Sequence, residues 1–249
     1  MSIRVSIDAS GGDFGFPVTI NAGINALKAY DDLLVNFVGD QTGIEKELKN
    51  NALFLKFQSR IEITHASEVI NMDDSPSVAL RHKKDSSMRV AINLVKNGDA
   101  DACVSSGNTG ALMSIARFVL KTISGVDRPA IMSAVPTLTG PTHVLDLGAN
   151  IDSKPSTLLQ FAIMGSIAVQ NTENIESPSV GLLNVGTEDL KGNEKSQETS
   201  ELLRKSTLNY IGFVEGDDIY KGNVDVIVCD GFEGNIALKA SEGVAKMFS

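Results

Sequence analysis

The sequence predicts an α/β fold with a mostly parallel sheet flanked by helices, and three observations lead there. Short β-branched runs alternate with longer helix-patterned segments along the whole chain. The strand runs are nearly continuous in apolar residues, as in VDVIVC at 224–229, which fits burial on both faces of a sheet. Glycine-rich turns recur where such runs end and helices begin, the point at which an α/β chain leaves its sheet.

Taken in order, Ile3–Asp8 (IRVSID) reads as the first strand and Pro17–Tyr30 as a helix with proline in its first turn. Leu33–Gly39 is a second strand, Gln41–Phe57 an amphipathic helical stretch and Ile61–His65 a short strand. Ser77–Asn97 reads as one long helix opening on a Ser77 cap. Ala102–Ser105, Ile131–Pro136, Val144–Leu147, Ser179–Val185 and Val224–Cys229 complete the strands. Thr109–Thr122, Ser156–Gln170, Glu194–Leu208 and Ile236–Phe248 complete the helices. No repeat or Pro/Gly/Ser-rich linker interrupts the pattern, so residues 1–249 are read as a single α/β domain.

Composition narrows the function. Apolar residues at 42% and charged residues at 21% suit a soluble globular chain and exclude disorder. Lys and Arg total 22 against 31 Asp and Glu, a net charge of −9, which argues against nucleic acid as a partner. The charge is uneven. From Thr172 to Asp218 there are ten acidic and four basic residues, whereas Arg81 to Lys96 holds five basic and one acidic. The start, MSIRVSIDASGG, shows no signal peptide, and Leu158–Val169 is too short to span a bilayer. Cys103 and Cys229 sit inside apolar runs and read as small buried hydrophobes of a reduced cytoplasmic protein. His65, His82 and His143 lie far apart in sequence, so no metal site is expected.

Four strand-end turns share one chemistry: Asp8-Ala9-Ser10-Gly11-Gly12-Asp13, Ser105-Ser106-Gly107-Asn108-Thr109-Gly110, Asp146-Leu147-Gly148-Ala149-Asn150 and Asp230-Gly231-Phe232-Glu233-Gly234-Asn235. Glycines let the backbone approach a ligand, and successive N–H groups at a helix start hold anions. Neither G-x-x-x-x-G-K-[ST] nor G-x-G-x-x-G is present, which disfavours a P-loop nucleotidase. No G-x-S-x-G elbow occurs either, so a catalytic reading needs a substrate that brings its own nucleophile.

The segments IDASGGDFGFP, KKDSSM, VSSGNTGALM, RPAI, LDLGAN, GLLNVGTEDLKGN and VDVIVCDGFEGNIALK together resemble the PlsX phosphate acyltransferase family, in family order across all 249 residues. Ser10 stands where family members usually carry Met, and the family continues past the equivalent of Ser249, so the chain is read as truncated at its C-terminus. The resemblance implies a fold like the phosphotransacetylases and the isocitrate/isopropylmalate dehydrogenases, in a homodimer without a cofactor. It implies transfer of a long-chain acyl group from acyl carrier protein to inorganic phosphate, the acyl phosphate product feeding a membrane glycerol-3-phosphate acyltransferase. It also implies a cytoplasmic protein able to associate with the membrane periphery.

On this reading the loop Ser106, Gly107, Asn108, Thr109 and Gly110 holds phosphate, with Asn108 and Thr109 as side-chain donors. Lys191 is the candidate cation for phosphate or oxyanion, Asn235 orients the reactants, and Asp230 holds Lys191 or a backbone amide. Arg81, Lys83, Lys84 and Arg89, on one stretch of the long helix, are the candidate docking surface for the acidic carrier. Leu112, Met113, Ala116 and Phe161 are conceivable acyl-groove walls and equally plain core residues. Structural alternatives stand beside each assignment. Lys191 can pair with Glu188 or Asp189; Asp8, Asp146, Asp230 and Asn150 can cap turns; Arg128 can brace a strand; the basic stretch can be a solvated face. Competing functions are a short-chain phosphotransacetylase using acyl-CoA, a metal- and NAD-dependent dehydrogenase of the related fold, and a non-catalytic phosphate- or lipid-binding regulator.

Overall fold

A computed structural model describes residues 2–248, and the chain divides into two compact units, Met1–Lys121 and Thr122–Ser249, where the sequence was read as one domain. Unit 1 holds β1 (Ile3–Asp8), α1 (Phe16–Ala29), β2 (Leu33–Gly39), α2 (Gln41–Asn50), α3 (Phe54–Phe57), β3 (Ile61–His65), α4 (Pro76–His82), α5 (Ser87–Asn97), β4 (Ala102–Ser105) and α6 (Thr109–Leu120). Its four strands are all parallel in the order β3-β2-β1-β4. The chain steps outward from β1 to β3 and then crosses back to β4, so the strand order reverses between β1 and β4. Ligands of open α/β sheets bind at such a reversal, beyond the carboxyl ends of the strands. Residue alternation explains the two-sided burial: Ile7, Val35 and Phe37 pack on one face with Ile20 and Ile24 of α1, while Met88, Ile92 and Ile115 build the core under α5 and α6 on the other.

Unit 2 holds β5 (Met132–Pro136), β6 (Pro141–Leu145), α7 (Pro155–Thr172), β7 (Ser179–Leu183), α8 (Glu194–Lys205), β8 (Asn209–Val214), β9 (Val226–Val228) and α9 (Gly231–Phe248). Its sheet runs β5-β6-β9-β7-β8, with β5 antiparallel to β6 and the remaining neighbours parallel. Leu145, Phe161, Val180 and Val226 are central to its core. Phe161 is fully buried there, which removes it as a groove wall.

The expected mostly parallel α/β class is what the chain adopts, in two sheets. Several elements differ from the sequence reading. Helix α9 starts at Gly231 rather than Ile236, so most of the turn read at Asp230–Asn235 is its first helical residues, and β6 starts three residues earlier than read. The long helix over Ser77–Asn97 is two helices: Ser75, not Ser77, caps α4, and Ser86 caps α5 by accepting from the Arg89 amide. The Ser86 hydroxyl also donates to the Lys83 carbonyl at 2.8 Å, closing the turn between them. The stretch Gln41–Phe57 breaks after Asn50, where Asn51 turns the chain by accepting from the Leu53 amide at 2.9 Å. Strand β8 was not foreseen; it pairs with β7 across a register shift at Val180/Gly181 that blurs its alternation.

Candidate active site

In unit 1 the carboxyl ends of β1 and β4 lie side by side, Asp8 opposite Ser105. Asp8 is 1% exposed, and its Oδ2 accepts a 2.7 Å hydrogen bond from the Ser105 hydroxyl. Its Oδ1 lacks a hydrogen-bond partner among the described residues. Burial pushes the Asp8 carboxyl above its ordinary pKa, and the groups facing it, from Ser87, Ser105, Gly11 and Ser10, offset part of that push.

The two loops beyond these strands interlock. Ser106 Oγ donates to the Gly11 carbonyl at 3.0 Å, and the Gly107 amide donates to Ser105 Oγ at 3.0 Å. Gly12 has φ +83°, and a Cβ there would sit 2.8 Å from Ser106 Oγ and 2.9 Å from the Ser106 carbonyl oxygen, so the position demands glycine. Ser106, Thr109 and Gly110 are exposed at the start of α6, and Gly107 is buried. Asn108 is the α6 cap: Oδ1 accepts from the Ala111 amide at 3.0 Å. Its Nδ2 donates to the carbonyls of Met72 at 2.8 Å and Asp74 at 2.9 Å, stapling the loop before α4. A phosphate contact through that amide would have to displace those bonds.

An apolar groove of about 550 Å³ runs along β1 in this unit, walled by Ile3, Val5, Ile7, Val18, Ala22 and Val104 and reaching Asp8, Ser105 and Ser106. Leu112 and Ala116 instead pack against the core beneath α6.

The basic stretch is rearranged by the α4–α5 break. Arg81 ends α4, Lys83 and Lys84 lie in the turn, and only Arg89 is on α5, so these residues do not share one long helix. Lys83 Nζ is drawn to Asp74 Oδ2 at 2.5 Å and to the Val69 carbonyl at 2.7 Å.

In unit 2 the strand ends of β6 and β9 are knotted together. Buried Asp146 accepts from the amides of Ile131, Ala149 and Asn150 and from Asn150 Nδ2, at 2.7–3.0 Å. Asn150 Nδ2 also donates to the Pro129 carbonyl, and its own carbonyl accepts from the Gly231 amide at 3.0 Å. A Cβ on Gly234 would lie 1.9 Å from the Asp146 carbonyl oxygen, so only glycine lets α9 start against this loop. Asp146 and Asn150 thus take the turn-building role. Asn235 is exposed on the second turn of α9 beside Gly148, whose added Cβ would lie 3.2 Å from the Asn235 Cβ.

Asp230 is bound by three amides, from Ser153 at 2.5 Å, Phe232 at 3.0 Å and Asp152 at 3.2 Å. Burial pushes its carboxyl upward, but the Phe232 and Ser153 amides and the Lys195 charge together hold it below the ordinary carboxylate range. The cation beside Asp230 is Lys195, whose Nζ lies 3.4 Å from both Asp230 Oδ2 and Asp152 Oδ1. Lys191 is half exposed and pairs with Glu188 at 3.0 Å. The sequence reading of Asp230 as a holder of backbone amides fits this geometry; as a partner of Lys191 it does not. Lys195 was missed although the helix start at Glu194 was read correctly, because its approach to Asp230 is a contact between residues 35 apart that no local pattern reveals. The Lys191 loop itself is fastened, its carbonyl accepting from Asn184 Nδ2 at 3.1 Å and Gln197 Nε2 at 2.6 Å. A mixed cleft of about 540 Å³ beside it is lined by Asn184, Gly192, Asn193, Ser196 and Glu233.

Burial raises the Cys103 thiol to about 11 and the Cys229 thiol further still, so neither forms a ready thiolate. Among the described residues no group of three or more His, Cys, Asp or Glu could hold a metal ion, and no helix is long and apolar enough to cross a membrane.

Residues 3–249 match the family model described as fatty acid synthesis protein. The chain belongs to that family. A relative named phosphate acyltransferase from Ruthia magnifica is 66% identical over 247 residues, covering 99% of this chain and 73% of the relative. Another of the same name, from Methylococcus capsulatus, is 56% identical over 98% of this chain and 72% of its own length. Membership makes the chain an acyltransferase of fatty acid and phospholipid synthesis. Among solved structures, the EutD phosphotransacetylase from Staphylococcus aureus matches with TM-score 0.69 at 19% identity, covering 98% of this chain and 83% of that one. A 4-hydroxythreonine-4-phosphate dehydrogenase from Burkholderia phymatum matches with TM-score 0.55 at 16% identity, covering 96% and 84%. At such identities the likeness is one of fold, and it is the fold expected from the sequence.

Proposed function

We propose that this chain transfers a long-chain acyl group from the thioester of acyl carrier protein to inorganic phosphate, with phosphate itself as the nucleophile. A phosphate oxygen attacks the carbonyl carbon, the C–O bond forms, the tetrahedral oxyanion collapses, and the C–S bond breaks. Acyl phosphate leaves, and the carrier thiolate takes up the proton that phosphate gives up. The observation that carries this reading is the interlocked pair of loops at the β1/β4 reversal, where Gly12 lets the first loop press against Ser106 at the start of α6. Such a helix start suits a dianion, and the Ser106–Gly110 segment is assigned to phosphate.

Lys191, Asn235 and Asp230 remain the assigned groups of the second unit. Lys191 supplies positive charge, Asn235 a neutral hydrogen bond, and Asp230 acts by ordering the Asp152–Ser153 backbone and Lys195. Holding phosphate in line is worth about 7–11 kcal/mol of barrier, and one oxyanion donor about 3–4 kcal/mol. The groove along β1 offers apolar surface for an acyl chain at the same strand ends. The two thiols held in their neutral form support a route without an acyl-enzyme.

The test compares donors at fixed phosphate: palmitoyl carrier protein, palmitoyl-CoA and acetyl-CoA, with acyl phosphate trapped by hydroxylamine. Preference for the carrier-bound long chain is expected. Preference for acetyl-CoA would make the chain a short-chain phosphotransacetylase.

A further inference from the structure

The helical face of unit 1 formed by α5 and α6 carries a ring held between cations. Phe118, on the last turn of α6, is 52% exposed. The Arg89 guanidinium of α5 lies 5.3 Å from its ring centroid, and Lys121 Nζ lies 4.8 Å from it. Both distances are within the range where the ring quadrupole attracts a cation, so the three side chains restrain one another. The arrangement offers an apolar ring edge flanked by fixed positive charge.

The surrounding charges sort themselves. Lys83 is turned onto Asp74, and Asp85, the one carboxylate in the basic stretch, is drawn to the Ser67 amide and hydroxyl. Arg81 and Lys84 are exposed at the end of α4 and in the turn into α5. Among the described residues no carboxylate forms an ion pair with Arg81, Lys84, Arg89 or Lys121. An unneutralised positive face on a chain of net charge −9 selects for a partner of opposite sign.

Resting on the acyl-carrier reading above, we propose that Arg89, Phe118 and Lys121, with Arg81 and Lys84 at the margin, form the docking surface for the acidic carrier protein. Charge complementarity brings the carrier in, and the Phe118 edge gives it an apolar contact that screening by salt does not remove. Position along the chain agrees. Phe118 lies nine residues, about 14 Å of helix, from Thr109 at the start of α6. A carrier docked at the far end of α6 therefore has to reach the Ser106–Gly110 segment through its thioester arm, which is long and flexible. A nucleic acid or an anionic bilayer would feel the same charges, but neither delivers an acyl thioester.

The experiment uses the full chain, the double variant Arg89→Glu/Lys121→Glu, and Phe118→Ala. Binding to palmitoyl carrier protein is titrated directly at 50 and 300 mM NaCl. In parallel, kcat/KM is measured with the carrier-bound donor and with octanoyl-pantetheine, which has no carrier. The double variant is expected to weaken carrier binding at least tenfold at low salt and to flatten its salt dependence. The ratio of carrier-donor to pantetheine-donor kcat/KM is expected to fall at least tenfold. Phe118→Ala is expected to weaken binding about equally at both salt concentrations. Unchanged carrier affinity and salt dependence in a folded double variant overturns the proposal. So does loss of binding to phosphatidylglycerol vesicles with carrier affinity intact, which assigns the face to lipid. Failure of the parent chain to form acyl phosphate from any donor counts against the proposed function instead, and the titration still decides the docking surface.

Discussion

The Ser105 hydroxyl donates a 2.7 Å hydrogen bond to Asp8 Oδ2, tying the ends of β1 and β4 together where the sheet reverses its order. This one contact fixes the base of the loop assigned to phosphate and of the Gly11–Gly12 loop interlocked with it, since Gly107 in turn leans on Ser105 Oγ and Ser106 on Gly11. Asp8 is buried with one oxygen unpaired, an arrangement that favours its neutral form.

The pH consequence follows from that sign. A carboxyl whose pKa is raised on folding contributes stability that is full below the unfolded value of 3.8 and is lost as pH rises through the folded pKa. Asp8→Asn removes this loss. The Tm difference between variant and parent is expected to grow in the variant's favour between pH 4 and neutrality. A pH-independent difference contradicts the shift.

Gly12→Ala places a methyl group against Ser106 at a left-handed backbone position. The expected cost is about 1–3 kcal/mol. For a chain of this size that is roughly 2–4 °C of Tm per kcal/mol. The KM for phosphate is expected to rise at least tenfold while the KM for the acyl donor moves less than threefold. An unchanged phosphate KM would detach the first loop from phosphate binding.

The paired substitutions Lys191→Ala and Lys195→Met separate chemistry from scaffolding. Lys191 forms its ion pair with an exposed Glu188, so its loss is expected to leave Tm unchanged while lowering kcat/KM at least a hundredfold. Lys195 helps hold Asp230 ionised. Depressed carboxylates contribute stability that is present above their unfolded pKa and lost as pH falls through the folded one. Lys195→Met is therefore expected to lower Tm at neutral pH, with the deficit shrinking below pH 4. A Tm deficit for Lys191→Ala, or none for Lys195→Met, reverses these roles.

Ala22→Trp fills the groove along β1 from its exposed side. The ratio of kcat/KM for a sixteen-carbon donor over a four-carbon donor is expected to fall at least tenfold. An unchanged ratio takes the groove out of acyl binding.

These positions show what the amino-acid order reveals and what it conceals. β1, β2, β3 and β4 were legible to the residue because each is an apolar run bounded by a turn. The division of Ser77–Asn97 was concealed, since Ser86 is compatible with helix and acts as a cap only by reaching the Lys83 carbonyl and the Arg89 amide. At the site, Gly12 and Gly234 were visible as glycines, but the atoms they avoid, on Ser106 and Asp146, come from 80–100 residues away. The docking ring was concealed for the same reason: Arg89 was visible as charge, whereas Phe118 and Lys121 join it only when α5 packs on α6.

On the proposed route phosphate, and no side chain, attacks the thioester. Intact-protein mass spectrometry during a single turnover tests it most directly, using excess protein with isotopically labelled palmitoyl carrier protein, first without phosphate and then with it added. Unmodified protein throughout, with acyl phosphate only after phosphate is added, is the expected result; a protein peak heavier by one palmitoyl group before phosphate, chased away when it arrives, would instead show an acyl-enzyme.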